Sequence, residues 1–247
     1  MAKNLLTYDF AEPLSEASCA RIELQVGDGN LAVDRLPAEE GLLASGALQY
    51  FEKQGAPRRS LAVSDGQASL TLRAGRAAQP WLHLPWAACN GATEWQVHLN
   101  PALPCEIIAH SDGGNLRLDL AEAAVTYLSA DTGGGNIDLV LPERSAGLEA
   151  DARTGGGNVE IELGADVTGQ NTITAGSGAG NVVVRIPGNL AARIHATTGW
   201  GKALISPRFS QVETHIFQSA DYDQAASRVD IDIKSGAGNV SVENKEN

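Results

Sequence analysis

One unit is written twice in succession: Val125–Leu141 contains Thr132-Gly133-Gly134-Gly135-Asn136, and Leu148–Leu163 contains Thr154-Gly155-Gly156-Gly157-Asn158. Each reads as strand, glycine turn, strand. The asparagine closing the turn recurs at Asn115, Asn136, Asn158 and Asn181, with Lys202 in its place next, in steps of 21, 22, 23 and 21 residues. A period near 22 identifies a solenoid, because a unit that short cannot bury an apolar face alone and must stack on its neighbours.

The residues after each turn alternate: Leu116, Leu118, Leu120; Ile137, Leu139, Leu141; Val159, Ile161, Leu163; Val182, Val184, Ile186. Period two describes a strand with one buried face, so these point inward. Arg117, Asp119, Asp138, Glu160, Glu162 and Arg185 lie between them and must face water. Pro142, Gly164 or Pro187 ends each run six residues after the asparagine, marking a second corner. The expected rung has two strands and two corners, stacked at roughly 4.8 Å.

The same unit opens the chain. Ile22, Leu24 and Val26 alternate up to Gly27-Asp28-Gly29-Asn30, and Leu31-Ala32-Val33 follows. Strands are expected around Leu48–Glu52, Ser60–Val63 and Ala68–Arg73, the last two joined by Ser64-Asp65-Gly66-Gln67. Asp-Gly suits a two-residue hairpin turn, which needs positive φ at both central positions. Trp81 directly follows Pro80 and Trp86 directly follows Pro85, and Trp95–Leu99 resumes alternation. Regularity fails at Thr198-Gly199-Trp200-Gly201-Lys202, and the irregular stretch Ser206–Ser227 is the expected C-terminal cap before a last rung, Val229–Val242. The fold class is all-β, a β-solenoid. Residues 1–104 are read as an N-terminal β region packing on and capping it, 105–243 as the repeats, and 244–247 as a frayed tail.

Among known families, the sequence resembles the toast-rack superfamily of bacterial β-solenoids, in particular the C-terminal domain of LiaF-type cell-envelope stress regulators. Four pieces carry the resemblance: Ile22–Val33 with its turn, Leu43-Ala44-Ser45-Gly46 to Tyr50, Trp95–Pro104 leading into Asp119-Leu120, and Val229–Val242. It implies the fold and a non-enzymatic role, and it transfers no catalytic residues. LiaF-type proteins carry hydrophobic helices ahead of this domain, and these 247 residues contain none. Other toast-rack proteins are described as adhesins, a role that requires export.

A formal net charge of −12 disfavours nucleic acid and anionic membrane surfaces as partners, since both repel the averaged field. Arg58-Arg59, the one adjacent basic pair, reads as an exposed hairpin end. Cys19, Cys89 and Cys105 are an odd count without metal spacing, which points to buried thiols in a reducing compartment. The first residues carry no signal-peptide core and no run spans a membrane, so the expectation is a cytoplasmic chain.

The candidate sites are few. Asn115, Asn136, Asn158 and Asn181 are expected to stack into an amide ladder holding the corners, with Thr132, Thr154 and Ser177 beside them. The glycines are no phosphate loop, because no helix follows them, and the period is far from that of calcium-binding β-rolls. His195 and His215 are the only histidine pair that stacking is expected to gather. Asp138 and Glu160 occupy equivalent places in successive rungs, so a polysaccharide-binding or polysaccharide-cleaving β-helix is the alternative function. The leading expectation is an interaction or scaffold module without cofactor, acting through self-association or a protein partner. Its candidate surface is Trp200 and Lys202, with Trp81 and Trp86 as a second.

Overall fold

The computed structural model describes residues 4–37, 41–75 and 93–245. In chain order the strands are β1 (Leu5–Pro13), β2 (Cys19–Gln25), β3 (Asn30–Arg35), β4 (Leu42–Phe51), β5 (Arg58–Ser64), β6 (Gln67–Arg73), β7 (Glu94–Leu99), β8 (Cys105–Ser111), β9 (Leu116–Asp119), β10 (Val125–Thr132), β11 (Ile137–Val140) and β12 (Arg144–Ala146). They continue as β13 (Glu149–Thr154), β14 (Val159–Glu162), β15 (Asp166–Thr168), β16 (Gln170–Ser177), β17 (Val182–Ile186), β18 (Ala191–Thr198), β19 (Ala203–Ile205), β20 (Ser210–Glu213), β21 (Ile216–Gln218), β22 (Arg228–Ser235) and β23 (Val240–Asn244).

Each glycine corner carries the chain from one large sheet to the other. The strand before the corner belongs to an 11-stranded sheet, here sheet B, in the order β20-β21-β18-β22-β16-β13-β10-β8-β2-β6-β5. The strand after it belongs to a 10-stranded sheet, sheet A, in the order β1-β4-β7-β3-β9-β11-β14-β17-β23-β19. Successive rungs pair in parallel register, for example Ile137 with Val159 and Leu128 with Ala150. The architecture is therefore the β-solenoid that the period implied.

The two inner faces contribute unequal volumes. Sheet A presents Leu118, Leu139, Ile161 and Val184, all fully buried. Sheet B presents a row of small residues beside the corner, Ala109, Ala130, Ala152 and Ala175, in register on neighbouring strands. Large side chains facing small ones fill the narrow space at a turn without a void.

Two features depart from the expected rung. A third, two-stranded sheet of β12 and β15 sits between the second corner and the next rung, with Gly147 and Gly169 at φ 72° and 65° leading out of it. Strands of three residues are too short to display a period, so the sequence pattern passed over them. The spatial order also differs from the chain order at both ends. The first rung, β2 and β3, lies inside β6 and β7, and the last, β22 and β23, lies inside β18 and β19. Both extreme rungs are thus hydrogen-bonded on two sides, which protects them from fraying, and chain-internal segments form the outermost parallel rungs.

Beyond β6 and β7, the N-terminal end continues antiparallel, with β4 and β1 extending sheet A and β5 extending sheet B. The hairpin between β5 and β6 turns at Asp65 and Gly66, whose φ angles of 51° and 77° are those an Asp-Gly turn requires. Trp95 is buried beneath β4, its indole donating to the Gln49 carbonyl at 3.1 Å. Glu12 of β1 is almost fully buried and meets the Arg59 guanidinium at 2.9 Å, an ion pair that joins an edge strand of sheet A to one of sheet B.

Candidate functional site

The corners are built from side chains that close the gap between rungs. The Oδ1 of Asn115 accepts the backbone N–H of Asn136 at 2.8 Å, and the same bond repeats from Asn136 to Asn158 and from Asn158 to Asn181. Two asparagines outside the regular spacing complete the series. Asn30 precedes Asn115, and Asn239 follows Asn181 and accepts from the N–H of Lys202 at 2.9 Å. Lys202 sits on the outermost rung, and among the described residues no further rung stacks on it to need an acceptor. The absence of an amide there has a structural reason.

A second ladder runs beside the first. The hydroxyl of Thr154 accepts from Gly157 N–H in its own turn at 3.1 Å and donates to the Gly135 carbonyl of the preceding rung at 2.7 Å. Ser111, Thr132, Ser177, Ser235 and Thr198 make the equivalent pair of bonds. The glycines answer to crowding. A Cβ on Gly157 stands 2.0 Å from the Gly135 carbonyl oxygen, whereas one on Gly134 meets nothing within 4 Å. The middle position is therefore open to Ala179, Ala237 and Trp200. Asn115, Asn136, Asn158 and Asn181 spend their acceptors on the fold.

Regularity stops at the C-terminal end, where Trp200 projects from the last corner at 92% exposure. Lys202, Ala203 and Leu204 after it are exposed, and β19 pairs with β23 on one side only. In sheet B, β18 is covered by β21 and then β20, both antiparallel additions from the 206–227 excursion. That excursion also closes the core. Phe209 is buried under the Arg208 guanidinium, 4.2 Å from its ring centre, while the same guanidinium donates to the Pro187 and Gly188 carbonyls. Burial lowers the Arg208 pKa below its ordinary value. Tyr222 donates its hydroxyl to Asp230, and burial followed by that bond pushes its pKa up to about 12. The end has a sealed interior and open strand edges.

The other candidates are dispersed. Trp81 and Trp86 lie outside the described residues. Asp138 and Glu160 do sit side by side in register on the outer face, but Arg117 pairs with the first at 3.8 Å and Arg185 with the second. They form part of an exposed charge ladder. Among the described residues, no cluster of three or more histidine, cysteine or acidic side chains is placed to hold a metal ion. His195 instead approaches Asp232 at 3.5 Å. Cys105 is buried, which pushes its thiol up to about 12 and keeps it protonated and unreactive. Among the described residues, no helix is long and apolar enough to cross a membrane.

The sequence pattern singles out Trp200 and Lys202 but not Leu204 and Val212, which are exposed at 53% and 51% on β19 and β20. Neither lies in a repeat, and only the strand pairing shows that both occupy sheet edges.

Comparison with known proteins fits this architecture. The chain resembles the crystal structure of a putative cell adhesion protein from Clostridium sporogenes at a TM-score of 0.68 and 20% identity, over 99% of this chain and 100% of that one. A putative adhesin from Bacteroides fragilis aligns over 99% of this chain and 98% of its own, at 13% identity and a TM-score of 0.35. No curated protein matches. The family model of the N-terminal domain of toast-rack, DUF2154, matches residues 2–162. With well over half of its length matched by that model and its rungs continuing in the same ladder beyond it, the chain belongs to the toast-rack family.

Proposed function

We propose that this protein is a non-catalytic interaction module that grips a protein surface with its C-terminal end. The observation that carries the reading is Trp200, a large aromatic side chain 92% exposed at the one glycine corner whose middle residue is aromatic. An unsupported tryptophan beside an open strand edge is the composition of a protein contact, because aromatic anchors and unsatisfied strand groups both gain from being covered. The Clostridium sporogenes structure is named for cell adhesion. An adhesin-like contact is the form of the function that fits a stack whose C-terminal corner carries an exposed tryptophan beside an open strand edge. Envelope-stress regulation through a protein partner uses the same surface.

Polysaccharide cleavage lacks comparable support. Asp138 and Glu160 stand exposed on a sheet face, each tied to an arginine. Glycosidic chemistry needs two carboxylates flanking the bond in a shaped site.

The test places a photo-reactive amino acid at position 200 and, separately, at position 117 in the middle of the outer face. Irradiation in cells of the source organism is expected to give discrete protein adducts from position 200 and none from 117. Equal adduct patterns from both positions would reject the assignment of the contact to this end.

A further inference from the structure

The described residues with large exposed apolar side chains are Leu5, Leu6, Val63, Trp200, Leu204 and Val212. Five belong to β1, β5, β19 and β20, which are the four edge strands of the two large sheets, and Trp200 is on the corner leading into β19. Among the described residues, large exposed apolar side chains are therefore confined to the two ends of the stack. At the C-terminal end it coincides with two unmatched charges. Lys202 precedes β19 and Glu213 ends β20; both are exposed, and neither side chain has an ion-pair partner among the described residues.

This end is also stepped. Past the outermost rung, sheet B carries two further strands, β21 and β20, while sheet A stops at β19. From these features we infer that the C-terminal end binds a second copy of this chain about a two-fold axis that runs along the strands and exchanges the sheets. The inference rests on the proposed contact surface and names its occupant. Each copy then lays its two-strand step over the other's β19, so two strands separate the outermost rungs in both sheets. Head-to-tail stacking does not match. Among the described residues, the N-terminal end adds β4 and β1 to sheet A and β5 to sheet B, so two intervening strands in one sheet would face three in the other. The mismatch is one strand spacing, about 4.8 Å.

Strand direction and charge agree with the two-fold arrangement. β21 runs against β18 and β20 against β21, so β20 runs with β18, while the corner sends β19 back the other way. Under the two-fold operation, β20 of one copy lies antiparallel to β19 of the other. Both are short, of four and three residues, and Lys202 at the start of one meets Glu213 at the end of the other. The pair forms twice, as an isologous interface requires. Trp200, two residues before Lys202, then covers the Thr214-His215 hairpin tip of the second copy, and Leu204 and Val212 are drawn into the contact.

Sedimentation velocity of the full chain over rising concentration tests this. The unaltered protein is expected to pass from monomer to dimer and no further. Lys202→Glu and Glu213→Lys, both at exposed positions, should each weaken the dimer about tenfold or more, by turning two attractive pairs into repulsive ones. Mixing the two variants should restore a heterodimer, because in a two-fold contact each variant then supplies the charge that the other needs. Leu6→Asp at the opposite end should change nothing. A wild-type monomer at every concentration, or a mixture no tighter than its components, overturns the inference. Open-ended polymers broken by Leu6→Asp overturn it in favour of head-to-tail stacking. A strict monomer whose position-200 cross-linker captures a different protein removes the dimer alone and leaves the contact surface standing.

Discussion

At the N-terminal end of the stack, three antiparallel strands among the described residues lie beyond the outermost rung, and the buried Glu12 carboxylate pairs with the exposed Arg59 guanidinium, tying the two sheets together. At the C-terminal end, two strands cover sheet B, none covers sheet A, and Trp200, Lys202 and Glu213 face solvent without a tie. Both ends use the same manoeuvre of drawing the extreme rung inward, so the difference is not one of chain topology. It lies in whether the edges were then joined. A solenoid needs both ends sealed against water, but it needs strand edges closed only where no partner is meant to use them.

The middle of the stack, where every corner is crowded, is the most sensitive to substitution. Gly157→Ala should cost more than about 3 kcal/mol, since its methyl group collides with a carbonyl that the ladder holds in place, while Gly156→Ala should stay within about 0.5 kcal/mol. Urea denaturation of both variants checks this. Arg59→Ala should cost about 2–3 kcal/mol by leaving the buried Glu12 carboxylate alone, and the double change with Glu12→Gln should recover most of it. If Arg59→Ala proves harmless, the N-terminal end is no more sealed than the other. Thr154→Val removes one hydroxyl that serves two part-buried backbone groups, at about 1 kcal/mol in the same denaturation series.

At the C-terminal end, Tyr222 gives a pH signature. Its folded pKa is raised to about 12 and its unfolded value is near 10. The stabilisation is therefore complete below pH 10 and is lost as the pH rises toward 12. Thermal melts from pH 8 upward should show that loss, and Tyr222→Phe should flatten it at about 1 kcal/mol. The smallest effect is expected from Lys202→Asn. The ladder ends on that rung, so an added amide finds no backbone N–H beyond it and stability should move by less than about 0.5 kcal/mol, measured alongside the melts. A clear gain would mean that the stack continues past Lys202.

The middle of the molecule was legible because its constraints repeat. A side chain that must bond its own equivalent one rung away leaves a period, and Asn115 to Asn181 showed it. Asn30 and Asn239 belong to the same ladder and carry the same turn chemistry, but the insertions around them hide the spacing. The proposed contact surface was half legible. Trp200 and Lys202 stood out as departures from a pattern, whereas Leu204, Val212 and Glu213 follow no pattern from which to depart. The Glu12–Arg59 pair joins residues 47 apart and left no local signal.

By itself the sequence determined what a strand and a turn can decide locally. It specified which residues face inward, where the chain must corner, and that glycine and asparagine sit there, since period and crowding act within a rung. The tertiary structure decided the order of the rungs at the two ends and therefore which edges stay open. That order depends on a strand choosing between neighbours of nearly identical pattern, a choice settled by how the long excursions fold back and not by any residue in the strand itself.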